Sequence, residues 1–232
     1  LQETVSSING LLKGDINLGA YCSLMVGFVP RAIRNFSNVY SNIEFHLQEV
    51  EYAAFHDLLP KGAIDLGFMI DNVPKGFLFI PLFRDAACVI MRDDHPFASY
   101  EKIPPALLNG CDFIMPMSGF DDIVNGVLQK SPFSPNVKYH VAGDVGAISL
   151  VSNGLGVSII SSLQVSLLPN HVIAKEFDGS FTRNLGIAVK SLKSASPAIK
   201  EFIRISKETA AQISLEHMAT QHDGIVQKNF FV

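Results

Sequence analysis

The 232-residue chain contains no tryptophan, only three cysteines and no dominant charge of either sign. Each shortage excludes something. Cys22, Cys88 and Cys111 stand far apart without a CxxC pair, so neither a disulfide framework nor a cysteine-rich zinc module can be built, and the odd count favours reduced thiols in a cytoplasm. Eighteen Lys and Arg against 22 Asp and Glu leave a net charge of -4, with no basic excess to draw in nucleic acid phosphates. The longest apolar runs, 77–83 and 86–91, are broken by Pro81 and by Arg84-Asp85, far short of the roughly 20 residues that span a bilayer. The first residues lack a basic stretch followed by an apolar one, so no signal peptide is read there.

Catalytic and metal patterns are also missing. There is no G-x-S-x-G elbow and no phosphate-binding loop. Gly154-x-Gly156 follows a helical pattern and precedes a strand, the reverse of the order that aims N–H groups at a pyrophosphate. The histidines at 46, 56, 95, 140, 171, 217 and 222 show no HxxxH spacing on one helix and no cysteine at ligand spacing, which gives no sequence ground for a metal site. The expectation is a protein that is not an enzyme and needs no cofactor.

What is present is a regular alternation of strands and helices. A composition that is 48% hydrophobic and 17% charged over this length supports a sizeable core, more naturally two lobes than one. Ile16, Leu18 and Ala20 alternate with Asp15, Asn17 and Gly19 as a strand. Met25, Val26, Val29, Ile33 and Phe36 then recur at helical spacing. Between them lies Tyr21-Cys22-Ser23, with Ser23 as the expected N-cap. Free N–H groups at such a turn suit an anion or polar small molecule, or the serine simply caps its helix.

A second strand carries Ile43, Phe45 and Leu47, a short helix follows over 52–61 to Gly62, and a third strand spans 64–70. This order is a parallel α/β unit with right-handed crossovers. Residues 77–83 and 86–92 read as two further strands, stopped by the turn Asp93-Asp94-His95-Pro96. Beyond it the alternation resumes: strand 112–116, helix 121–130, strand 137–142, helix 144–153 capped by Asp144 and stopped by Gly154, strand 155–160, short helix 162–168, strands at 172–177 and 183–190. A long helix opens at Ser196-Pro197, with proline at its first position. The chain therefore passes between lobes near Asp93 and again near Gly186, the two crossings of a hinge.

Four segments in this order and spacing resemble the effector-binding domain of LysR-type transcriptional regulators: Gly14-Asp-Ile-Asn-Leu-Gly-Ala with Pro30 in the helix that follows, Gly62-x-Ile-Asp-Leu-Gly, Asp-Asp-His-Pro at 93–96, and Leu-Val-Ser-Asn-Gly-Leu-Gly-Val-Ser-Ile-Ile at 150–160. The resemblance covers about Gly14 to Ala210. It implies an α/β fold of two lobes of the periplasmic-binding-protein-like (type II) kind joined by two crossover strands. Residues 1–13 would be the end of a linker helix, 14–93 and 188–217 lobe I, 94–187 lobe II, and 218–232 a mobile tail.

It also implies function. The chain would sense a small-molecule effector, a carboxylate or related metabolite, held between the lobes, as a cytoplasmic homodimer or homotetramer without membrane contact. DNA would be reached only through an N-terminal helix-turn-helix absent from this sequence. A solute-binding protein of a transporter is the alternative on the same fold. Carried over by position, the effector contacts fall at Tyr21, Cys22 and Ser23, at Glu51 and Tyr52, at Met117, Ser118 and Gly119, and at Gly143 and Asp144, with Ser161 at a nearby strand end. Tyr21 and Tyr52 stand where relatives carry small polar residues, and would either stack on a ligand or pack between lobes. Cys22 is either a sensing thiol or a small apolar filler. Asp144 would oppose an anion if it faced the effector.

Overall fold

The computed structural model describes residues 13–117, 123–131 and 133–221, with side chains as far as Ser214. The chain forms two compact units. One collects the chain up to Phe83 and again from Asn184; the other collects Arg84–Arg183.

The first unit is a parallel sheet completed by antiparallel strands. β1 (Gly14–Ala20) lies between β2 (Ile43–Glu49) and β3 (Leu66–Ile70), parallel to both. β3 pairs antiparallel with β9 (Thr182–Val189), and the first half of β4 (Leu78–Arg92) runs beside β9 where Gly186 meets Ile80. Alternation sorts the side chains onto two faces. One face of the sheet, with Phe45 and Phe68, meets Phe36 of α2 (Val29–Ser37) and Phe202 of α6 (Pro197–Gln221), whose ring lies 5.4 Å from Phe36 and 5.0 Å from Phe45. Full burial of one such ring stabilises the fold by about 1.5–3 kcal/mol. The other face receives Phe55 of α3 (Phe55–Lys61). A Cβ at Gly67 would lie 2.5 Å from Phe55 Cε1, so glycine is what lets this ring reach the sheet.

The second unit centres on the other half of β4, antiparallel to both β7 (Ser158–Ser161) and β8 (Val172–Glu176). β5 (Asp112–Pro116) pairs in parallel with β6 (Asn136–Val141), and its Phe113 forms a parallel bridge with Val157, the residue just before β7. Because strand residues alternate, Val89 and Met91 enter one core with Phe113, Val127 of α4 (Ile123–Lys130) and Phe177. Ile90 enters the opposite one with Ile114, Ile160 and Val151 of α5 (Asp144–Ser152).

Several local expectations need correction. The helix expected to run unbroken past Met25 is two: α1 (Cys22–Gly27) and α2, separated at Phe28, whose φ of -131° is not helical. Pro30 favours this break, since a residue without an N–H is best placed in the first turn of a helix. The buried positions are accordingly Leu24, Phe28, Val29, Ala32 and Phe36, whereas Met25, Val26 and Ile33 are only partly covered. The two strands expected over 77–92 are one strand of 15 residues, β4. Arg84-Asp85 does not end it, and the division between the units falls there, ahead of Asp93. The return falls at Arg183–Asn184, just before Gly186. The segment 162–167 is a 3-10 rather than an α-helix, and α6 continues past Met218 to Gln221. Residues 1–12, where the linker end was expected, lie outside the described residues, as do 222–232.

Candidate functional site

In the first unit the carboxyl ends of β1, β2 and β3 are held together by Val50 N–H donating to Ala20 O at 2.9 Å and Tyr21 N–H donating to Phe68 O at 3.4 Å. Tyr21 is the N-cap of α1, in extended conformation and without a side-chain cap; the role expected of Ser23 is filled by a residue two positions earlier. Ser23 sits inside the first turn, buried, and Cys22 is half-buried beside it. The Tyr21 ring stacks on Tyr52 at 6.2 Å and 17°, and meets Phe55 edge-on at 5.2 Å. Asn72, just past β3, donates from Nδ2 to the Tyr52 hydroxyl. The two tyrosines thus pack on each other within one unit. Glu51 is exposed and precedes the 3-10 turn Tyr52–Ala54 without capping it through its side chain. Asn72 is a member that sequence reasoning missed, because it belongs to no motif.

In the second unit Met117 follows β5, half-exposed at 49%, with its N–H bound to Val141 O at 2.9 Å. Ser118 and Gly119 lie outside the described residues. Gly143, not Asp144, is the N-cap of α5; its φ of 76° and ψ of 159° are a backbone state that glycine enters without Cβ strain. Asp144 is the first residue of that helix, 4% exposed, and its carboxylate accepts from Gln164 Nε2.

Ser161 ends β7 fully buried and caps the following 3-10 turn through a reciprocal capping box with Gln164. Its Oγ accepts from Leu163 N–H at 3.2 Å and donates to Asp85 Oδ1 at 2.8 Å. Ser162 Oγ donates to the same oxygen at 2.9 Å, and Arg183 Nε donates to Asp85 Oδ2 at 2.8 Å. Asp85 is fully buried, so these three donors replace the water its charge has lost. Nearby, burial and the Asp85 charge push the Cys88 thiol well above its usual range.

Asp85, Ser162, Gln164 and Arg183 were not anticipated. Ser161-x-x-Gln164 is a readable capping-box signature, and Arg84-Asp85 inside an apolar run is a readable anomaly; the link from Asp85 to Arg183 leaves no local signal. A separate cavity of about 440 Å³ in this unit is lined by Arg92, Asp94, His95, Asp112 and Gly154–Gly156, at the amino ends of β5 and β7 and so away from the residues above.

No described helix is long and apolar enough to cross a membrane. Over residues 9–211 the chain matches the LysR substrate binding domain. It is 29% identical over 210 residues to the uncharacterized HTH-type transcriptional regulator YvbU of Bacillus subtilis, covering 90% of this chain and 72% of that protein. In structure it is similar to the CcmR regulatory domain of Synechocystis PCC6803 in complex with 2-PG, with a TM-score of 0.78, 20% identity and coverage of 85% and 98%. The effector binding domain of QuiR in complex with shikimate gives 0.73, 21%, 86% and 98%. These likenesses extend to the fold, the periplasmic-binding-protein-like type II α/β fold expected from the sequence. The chain belongs to the LysR substrate-binding domain family.

Proposed function

We propose that this chain is the effector-sensing part of a cytoplasmic LysR-type regulator, and that its effector is a small polar molecule, a carboxylate or related anion. In this reading the effector changes the geometry of a homodimer or homotetramer, and through it promoter binding by a helix-turn-helix elsewhere in the full-length protein. The observation that carries it lies in the first unit, where Tyr21, Cys22, Ser23, Tyr52 and Asn72 gather at the carboxyl ends of three parallel strands, the end where ligands bind in open α/β sheets. In the second unit the N-terminus of α5 at Gly143 and the Ser161 turn occupy the corresponding end. That two neighbours of the same fold hold 2-PG and shikimate supports a small-molecule effector.

A thermal-shift screen of metabolite acids tests this reading. A ligand at 100 times its dissociation constant stabilises the fold by about 2.7 kcal/mol. The shift should vanish in Tyr52→Ala and in Ser161→Ala, each compared with its own ligand-free melting point. If both variants respond like the parent, the site assignment fails while the family assignment stands. Light scattering tests self-association against the 25.3 kDa of one chain.

A further inference from the structure

The chain has neither an HxxxH pair nor closely spaced cysteines, but metal ligands also meet across two neighbouring strands. The register of β1 and β2 sets Asp15 beside Glu44 and Asn17 beside His46. In paired parallel strands these residues share one face of the sheet, opposite the face where Phe45 meets Phe36 and Phe202. Phe55 covers their face at Gly19 and Gly67, and the end bearing Asp15, Glu44 and His46 stays exposed. One ligand atom from each of these three side chains lies within 4.8 Å of the other two.

We infer that Asp15, Glu44 and His46 form a surface site for a divalent transition-metal ion, of the zinc, cobalt or manganese class. Two carboxylate oxygens and one imidazole nitrogen are a ligand set that such ions accept, whereas calcium and magnesium favour oxygen alone. Among the described residues these three side chains make no hydrogen bond or ion pair, so none of those residues offsets the repulsion between the two carboxylates. A divalent cation converts that repulsion into attraction. Tetrahedral bonds of about 2.0–2.2 Å need donors roughly 3.4 Å apart. Exposed side chains on adjacent strands reach this spacing by rotamer changes, with water completing the shell. Without an outer shell of hydrogen-bonded partners the affinity is about 10–100-fold below that of a supported site. Among the described residues β2 is the end strand of its sheet and pairs with β1 alone, so the ion ties an edge strand to its neighbour.

Cobalt titration of the chelator-treated chain, followed by calorimetry and visible absorption, tests the site. Saturation at one equivalent is expected, without a thiolate charge-transfer band, which separates the site from the cysteines. His46→Ala and Glu44→Gln should each weaken binding by more than about tenfold, the loss that removal of an outer-shell partner can already cause. His140→Ala, at another exposed histidine, should leave it unchanged. Because the three ligands are exposed, the metal-free variants should melt with the parent. Undiminished affinity in both His46→Ala and Glu44→Gln, a thiolate band, or no saturable heat would overturn the assignment.

Discussion

Arg183 donates from Nε to Oδ2 of Asp85 at 2.8 Å, joining residues 98 apart in sequence at the points where the chain enters and leaves the second unit. Asp85 is fully buried and the Arg183 side chain is 16% exposed, so the pair is little screened by water. Ser161 and Ser162 satisfy the other carboxylate oxygen. Removing one member of such a buried pair leaves a charge with part of its compensation gone.

Arg183→Met should therefore lower unfolding stability by about 3 kcal/mol, seen as a lower urea midpoint at unchanged slope. Arg183→Lys should recover part of the loss. A cost below about 1 kcal/mol in Arg183→Met would mean that the pair behaves like an exposed one.

Glycine positions give a prediction of opposite signs. A Cβ at Gly186 would lie 2.2 Å from the carbonyl oxygen of Ile80, a backbone atom that cannot rotate away. Gly186→Ala should cost about 3 kcal/mol or more. Gly126, inside α4, has nothing within 4 Å of its added Cβ, and Gly126→Ala should stabilise by about 0.5–1 kcal/mol through helix propensity. Paired denaturation curves check both.

Much of the fold was legible because local pattern and tertiary burial agree. Ile16 and Leu18 alternate with polar neighbours and are buried, while Gly62 at φ 69° and Gly154 at φ 74° end their helices as their residue type suggests. Leu47 shows where pattern and burial part: it fits the strand period yet is 50% exposed, because β2 is an edge strand. β4 was hidden because Pro81 and Arg84-Asp85 look like breaks. The charge of Asp85 is compatible with a strand only because serines from β7 and its turn, and an arginine from β9, arrive from far along the chain. The helix starts at Ser23 and Asp144 were misread for a related reason: both residue types favour caps, but Tyr21 and Gly143 hold the cap geometry, and Asp144 is engaged by Gln164. The described effector positions carried over by resemblance fall at strand ends in each unit, but Asn72 beside Tyr52, and Asp85 beside Ser161 with Arg183 behind it, needed the structure.

The thiols should differ in reactivity. Burial, reinforced by Asp112, pushes Cys111 up to about 11, and burial with Asp85 pushes Cys88 higher still. Thiolate is the reactive form, so modification of Cys111 should be slow at neutral pH and accelerate about tenfold per pH unit up to that value. Cys88 should remain unlabelled in the folded chain. Mass spectrometry after timed alkylation resolves the sites, and equal labelling of Cys88 and Cys111 would show that the fold opens locally around β4.

His95 should give the second unit a dependence on mildly acidic pH. Its Nδ1 accepts from Phe97 N–H at 3.2 Å and so caps the short 3-10 turn Pro96–Ser99, a bond available only to the neutral ring. Burial lowers its pKa below 6.5, although the nearby Asp94 charge pulls the other way. The folded state thus binds this proton less readily than the unfolded chain. The sign follows from linkage: the contribution of His95 to stability is fully present above the unfolded value of 6.5 and is lost as pH falls through the lower folded value. Denaturation midpoints measured from pH 8 down to about 5 should fall more steeply for the parent than for His95→Asn, whose side-chain oxygen can cap the same N–H at every pH. Parallel profiles would show that protonation of His95 is equally easy folded and unfolded, and that the cap contributes nothing pH-dependent.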